Sequence, residues 1–163
     1  MRAATVMTMG LFLPAFFAAL AWVVLAVGVS LLVRRRRGQP ILRPAFPDAI
    51  YAGRWQSGRS LRNVVTRFGG ASGCLWVAVT PDALHVGLHF PFNMAFLGEF
   101  YRLEHRIDAR DIRAVETGRS LLGRRTVRVR FARADGVEEA IELHVAAPDG
   151  LTKALAAVRE RIR

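Results

Sequence analysis

Residues 74–90, CLWVAVTPDALHVGLHF, decide the fold. Leu75, Val77 and Val79 alternate with Cys74, Trp76 and Ala78. After Thr80-Pro81-Asp82-Ala83, the residues Leu84, Val86, Leu88 and Phe90 alternate with His85, Gly87 and His89. A period of two, broken at its centre by a Pro-Asp turn signal, describes two half-buried strands in a hairpin. A hydropathy window over 73–98, where Asp82 is the only charged residue, suggests a second membrane span instead. The turn at its centre and the histidines along one face exclude that reading.

The same period continues outward. Phe100–Ile107 reads as a strand, and Asp111–Glu116, with Ile112 and the Ala114-Val115 pair, as a short one. Thr126–Phe131 turns Val127, Val129 and Phe131 inward and Arg128 and Arg130 outward. Beyond the Ala134-Asp135-Gly136 turn, Glu139–Val145 turns Ile141, Leu143 and Val145 inward and Glu142 and His144 outward. Antiparallel pairing sets Arg128 or Arg130 opposite Glu142, a favourable cross-strand charge pair. Upstream, Leu61–Phe68 supplies the first strand, for about seven strands in all. The chain then turns helical: Leu151, Leu155, Val158 and Ile162 recur at helical spacing, with Asp149 as the expected N-cap and Arg159, Arg161 and Arg163 in the last turn.

The fold class is therefore α+β, mostly antiparallel β. The strand Leu75–Thr80 leading into Asp82–Val86, the segment His105–Glu116, the two later strands and the Leu151–Ile162 helix together resemble the bacterial PH-like/GRAM-like domains. The resemblance covers roughly residues 59–163 and rests on strand order and pattern. It implies a split barrel of two bent antiparallel sheets, with the C-terminal helix capping one end. It also implies a binding or scaffolding module. The basic loop that binds inositol phosphates in eukaryotic relatives is not matched: Arg62 and Arg67 precede Gly69–Gly73, but Cys74–Thr80 holds no basic residue.

Upstream of this domain, Leu11–Val33 carries no charge. At 1.5 Å per residue it spans ~35 Å, enough for a ~30 Å hydrocarbon core. Its Leu, Phe and Val residues contribute about −4 to −8 kcal/mol on the insertion scale. Pro14 is expected in the first helical turn, where a missing N–H costs least. The segment is longer than the apolar region of a signal peptide and ends in Arg34-Arg35-Arg36-Arg37 instead of a small-residue cleavage site. The positive-inside rule then puts the C-terminal domain in the cytoplasm and the N-terminus outside, at a bacterial inner membrane. Arg34, Arg35, Arg36 and Arg37 form the candidate membrane-interface collar. Lys153 is the only lysine among 24 basic residues, a bias that fits a GC-rich bacterial genome. Ala15 and Ala19 form a small-xxx-small pair through which two helices can approach, a route to a homo-oligomer.

The expected organisation is a tail and transmembrane helix over 1–33, a collar and linker over 34–58, and the PH-like domain over 59–163. Pro40, Pro44 and Pro47 make the linker a semi-rigid tether. Tyr51 and Trp55 rest either at the membrane interface or on the domain.

Composition narrows the chemistry. The chain has 163 residues, mean hydropathy +0.23, 13 acidic residues and a net charge of +11. One cysteine, Cys74, excludes an internal disulfide and cysteine-based zinc sites. His85 and His89, four apart on a strand, stand ~13 Å apart, too far for one ion. Glu104 and His105 point to opposite strand faces. Cys74 has no cysteine-enzyme signature, and Gly69-Gly70-Ala71-Ser72-Gly73 lacks the ending of a phosphate-binding loop. No metal, cofactor or nucleic-acid partner is expected.

The stretch Phe90-Pro91-Phe92-Asn93-Met94-Ala95-Phe96-Leu97-Gly98 is unusually apolar for a connection. Either Phe92, Phe96 and Leu97 fold back to fill the barrel end, or Phe92, Met94, Phe96 and Leu97 form an exposed lipid or partner contact. The functional expectation is a membrane-anchored, non-catalytic binding or scaffolding module facing a protein partner or anionic lipid. The alternative is an envelope lipid-modifying enzyme with a composite active site.

Overall fold

The computed structural model describes residues 2–36, 38, 44–62, 66, 70–94, 103–120 and 123–161. The chain divides into two compact units, residues 1–41 and 42–163.

The first unit is one helix, α1 (Arg2–Arg36). Its Leu13–Arg36 portion is long and apolar enough to cross a membrane. The helix starts well before the apolar run, so Pro14 lies in its interior and not in its first turn. There the ring removes one backbone hydrogen bond. Arg34, Arg35 and Arg36 form the last turn, where cations complement the helix dipole. Arg37 lies outside the described residues.

The second unit is an α+β domain that shows, among the described residues, a seven-stranded antiparallel sheet and a C-terminal helix. The strands are β1 (Tyr51–Ser60), β2 (Ala71–Val79), β3 (Ala83–Leu88), β4 (His105–Asp108), β5 (Ile112–Arg119), β6 (Arg125–Ala132) and β7 (Glu138–His144). They lie in the order β4-β3-β2-β1-β7-β6-β5, an open sheet. Strand β1 joins its two wings, pairing with β2 on one side and with β7 on the other. The terminal helix α2 (Pro148–Glu160) buries Leu151, Ala154, Leu155 and Val158 in the same apolar cluster as the inward residues of β2, β3, β6 and β7. Each leucine or valine among them contributes about 1.5–3 kcal/mol when fully buried.

The β2–β3 hairpin forms as its sequence dictates. Val77 faces Val86 and Val79 faces Leu84 across the ladder. Leu75, Val77, Val79 and Leu84 are fully buried. Thr80 closes the turn, its hydroxyl held between Asp82, Ala83 and His85. In the other wing Arg128 sits opposite Glu142, as the charge pattern requires.

Besides the place of Pro14, two expectations are corrected and one is refined. The first strand is Tyr51–Ser60, not Leu61–Phe68; residues 63–65 and 67–69 of that run lie outside the described residues. Positions 51–60 escaped the pattern because the buried positions of β1 are Gly53, Gln56, Gly58 and Ser60, none of them a large apolar residue. The space is taken by neighbours: a Cβ at Gly58 would meet Leu75 at 2.8 Å and Leu143 at 3.0 Å. Small residues on the central strand let the two wings pack against each other across it. Second, Glu142 lies on the outer face opposite Arg128, as its spacing predicts, yet it is buried there, held by Arg59 at 3.0 Å and Arg128 at 3.5 Å. The long arginine stems cover this face of the sheet while their charged heads stay wet. Third, Asp149 does not cap α2. Ala147 occupies the N-cap, Pro148 the first turn, and Asp149 makes a paired contact with Arg125 at 2.7 and 2.9 Å. The Asp149 carboxylate still lies in the first turn, where the helix dipole favours it.

Candidate docking surface at the β1 bulge

The site begins with a register fault. Gly53 of β1 pairs with Val77 and Gln56 with Leu75, so three steps on β1 match two on β2. The extra residue is a β-bulge, a device that bends a strand and re-aims a side chain. Gln56 holds it in place: it is buried, its Oε1 accepts from the Ala146 N–H at 2.8 Å, and its Nε2 donates to the Arg54 carbonyl at 2.5 Å. Within the bulge Trp55 has φ +56°. That left-handed conformation costs a residue with a Cβ about 1–2 kcal/mol. The surrounding bonds impose it, and the result is an indole that is 59% exposed.

Trp55 is held from the other side by His89, just beyond β3. Its backbone N–H donates to His89 Nε2 at 3.4 Å, and the two rings stack at 4.4 Å with 19° between their planes. The His89 N–H donates to the Cys74 carbonyl at 2.8 Å, which extends the β2–β3 pairing by one step. Phe90 and Phe92 follow directly, 52% and 40% exposed.

The segment 44–50 completes the surface. The ring of Phe46 lies 4.6 Å from His85 and 5.6 Å from Trp76, covering the outer face of β2 and β3. Ile50 donates to the Val79 carbonyl at 2.8 Å, which ties the segment to the end of β2. Between this segment and the bulge lies an open groove of about 790 Å³, lined by Pro44–Pro47 together with Arg54, Trp55, His89 and Phe90. Phe46 and its neighbours carried no periodic signal, so the sequence pattern left them in the tether.

The other candidates do not converge. The Thr80 hydroxyl lies 2.6 Å from Asp82 Oδ1 and 3.2 Å from His85 Nε2, a grouping with the outline of an acid–base set. Its proton goes to the carboxylate, and its oxygen accepts from the Ala83 N–H. The hydroxyl therefore fastens the turn. The Thr80 bond holds the Asp82 carboxyl below its usual range, helped by Arg106 at 3.2 Å. Burial pushes the Cys74 thiol up, away from the reactive thiolate. His105 packs edge-on against Phe131, and His144 lies 3.7 Å from Glu142. Among the described residues no three His, Cys, Asp or Glu side chains gather to hold a metal ion. Of the apolar stretch 90–98, Phe92 is described and exposed. Met94 ends a single 3-10 turn, its side chain outside the described residues, as are Phe96 and Leu97.

Two expectations follow from this geometry. First, burial and then the Arg106 charge hold the His85 pKa below its ordinary value, against the opposing pull of Asp82 and Asp108. The folded state thus prefers neutral His85. Its contribution to stability is complete above the unfolded value of about 6.5 and is lost as pH falls below it. Urea midpoints at successive pH values should show this acid limb, and His85→Gln should flatten it. Second, Trp55→Gly should leave stability unchanged to within about 1 kcal/mol. Relief of the left-handed strain offsets the lost ring stack and the added chain freedom. A larger loss in the urea midpoint would show that Trp55 supports the fold.

No family model matches the chain, and comparison with curated proteins finds no match.

Proposed function

We propose that this protein is a single-pass, membrane-anchored, non-catalytic binding module whose β-domain works at the cytoplasmic face of the bilayer that holds α1. One observation carries the reading. An apolar helix of membrane-spanning length ends in arginines at Arg36, and eight residues later Pro44 already belongs to the β-domain surface. A domain on so short a tether works at the membrane surface, where weak contacts with anionic lipid or a membrane protein gain from high effective concentration.

The assignment to the PH-like/GRAM-like class is part of this proposal. It is supported by the central β1, the return of β7 beside it and the helix that follows β7 into the core. The arginine collar supports a cytoplasmic domain and an outside N-terminus. The exposed aromatic residues beside the groove, and the structural employment of Thr80, Asp82 and His85, favour binding over catalysis.

Alkaline carbonate extraction of membranes containing the full chain tests the anchor. The protein should remain in the membrane pellet. Release into the supernatant would overturn the reading.

A further inference from the structure

We infer that the groove beside the β1 bulge is a bilayer-docking surface: Trp55, Phe90 and Phe92 enter the interfacial layer of the membrane that anchors the chain. The inference rests on the anchored reading above and names the partner as a lipid surface.

Connectivity comes first. Pro44 to Pro47 line the groove, and α1 ends at Arg36. Eight residues reach at most about 28 Å when fully extended. Covalent geometry therefore keeps Pro44, at the edge of the groove, within that distance of Arg36.

Chemistry comes second. Exposed Trp and Phe side chains beside an arginine suit the boundary between headgroups and acyl chains. An indole buries its apolar body there and keeps its N–H wet. Trp55 and Phe90 are more than half exposed, and Phe92 is 40% exposed. Arg54 lines the same groove, within reach of lipid phosphates.

Construction comes third. The bulge keeps Trp55 outward in a left-handed backbone conformation, with Gln56 bonded to Arg54 on its own strand and to Ala146 beyond β7 to maintain it. A strained residue that its surroundings over-determine marks a position kept for a contact beyond the fold. An aromatic side chain already immobilised by stacking on His89 loses little freedom on docking.

The test uses the full chain with Trp22→Phe, reconstituted in phosphatidylcholine–phosphatidylglycerol vesicles with or without lipids brominated on the acyl chains. A matched chain that also carries Trp55→Phe isolates the Trp55 emission. Trp76, which is 8% exposed, serves as an internal marker of folding. Docking predicts about twofold quenching of Trp55 by the brominated lipid, retained at high salt, because the contact is apolar. Trp55 emission that is open to aqueous iodide and insensitive to bromine would overturn the inference. So would emission shielded from iodide without bromine quenching, which would assign the surface to a protein contact. Quenching confined to low salt would reduce the contact to charge attraction and also overturn it. Flotation of the same vesicles separates the two levels: a chain that fails to float refutes the anchor itself.

Discussion

Trp76→Ala is expected to cost the β-domain about 3–5 kcal/mol, the range for truncating a large buried aromatic. Against a typical domain stability of about 5–15 kcal/mol, that is a large fraction of the whole. The side chain is 8% exposed, and its Nε1–H donates to the Leu88 carbonyl at 3.2 Å. It lies across Gly87, its partner in the β2–β3 register. A Cβ at position 87 would come within 2.4 Å of Trp76 Cζ2 and 2.6 Å of Cε2. Gly87→Ala is accordingly expected to cost about 1–3 kcal/mol through overpacking. The nearest clash falls on Cζ2, in the part of the indole that a phenyl ring lacks. The double variant Trp76→Phe, Gly87→Ala should therefore be less destabilised than the two single losses added together. Urea denaturation of the four proteins closes that cycle. Strict additivity would contradict the packing of indole on glycine.

The second large effect concerns insertion. Leu20→Arg combined with Val24→Arg is expected to abolish membrane integration. Near the bilayer centre an arginine costs about 2.5–3.5 kcal/mol, whereas leucine or valine contributes about −0.3 to −0.6 kcal/mol. The pair therefore shifts insertion by about 6–8 kcal/mol, similar to the entire favourable term from Leu11–Val33. Both side chains are exposed on α1, 48% and 64%, so no protein partner within the helix shelters the new charges. Leu20→Ala with Val24→Ala serves as the control and should still insert. Microsomal insertion assays read both directly. Equal insertion of the arginine and alanine pairs would show that α1 does not span.

The pattern of legible and illegible residues has a physical cause. β2, β3, β6 and β7 were readable because one face of each packs on the core and carries large apolar residues at every second position. β1 was not readable. A central strand flanked by two leucine-bearing neighbours has room only for Gly53, Gly58, Ser60 and a hydrogen-bonded Gln56. Hydropathy is blind to such a strand. The same blindness hid the docking surface. Phe46 covers His85 and Trp76 from a segment whose prolines read as tether, and the bulge that displays Trp55 depends on a register fault seen only once β1 and β2 are paired. His85 and His89 lie on the outer side of the hairpin, as the alternation predicts, but the aromatic rings from upstream that pack on them, Phe46 and Trp55, were hidden from the pattern. Glu142 shows the reverse effect. Its cross-strand partner Arg128 was legible from spacing, while its burial depends on Arg59, far away in sequence on β1. The apolar helix itself was legible because a long uncharged run needs no tertiary context.

The sidedness of the domain tests the account most directly. Asp135→Cys in a Cys74→Ala background places one thiol in the exposed turn between β6 and β7. A membrane-impermeant maleimide should label it in inside-out vesicles and leave it untouched in sealed, right-side-out ones. Labelling from the outer side of sealed vesicles would contradict the proposed arrangement and place the β-domain across the membrane from its expected partners.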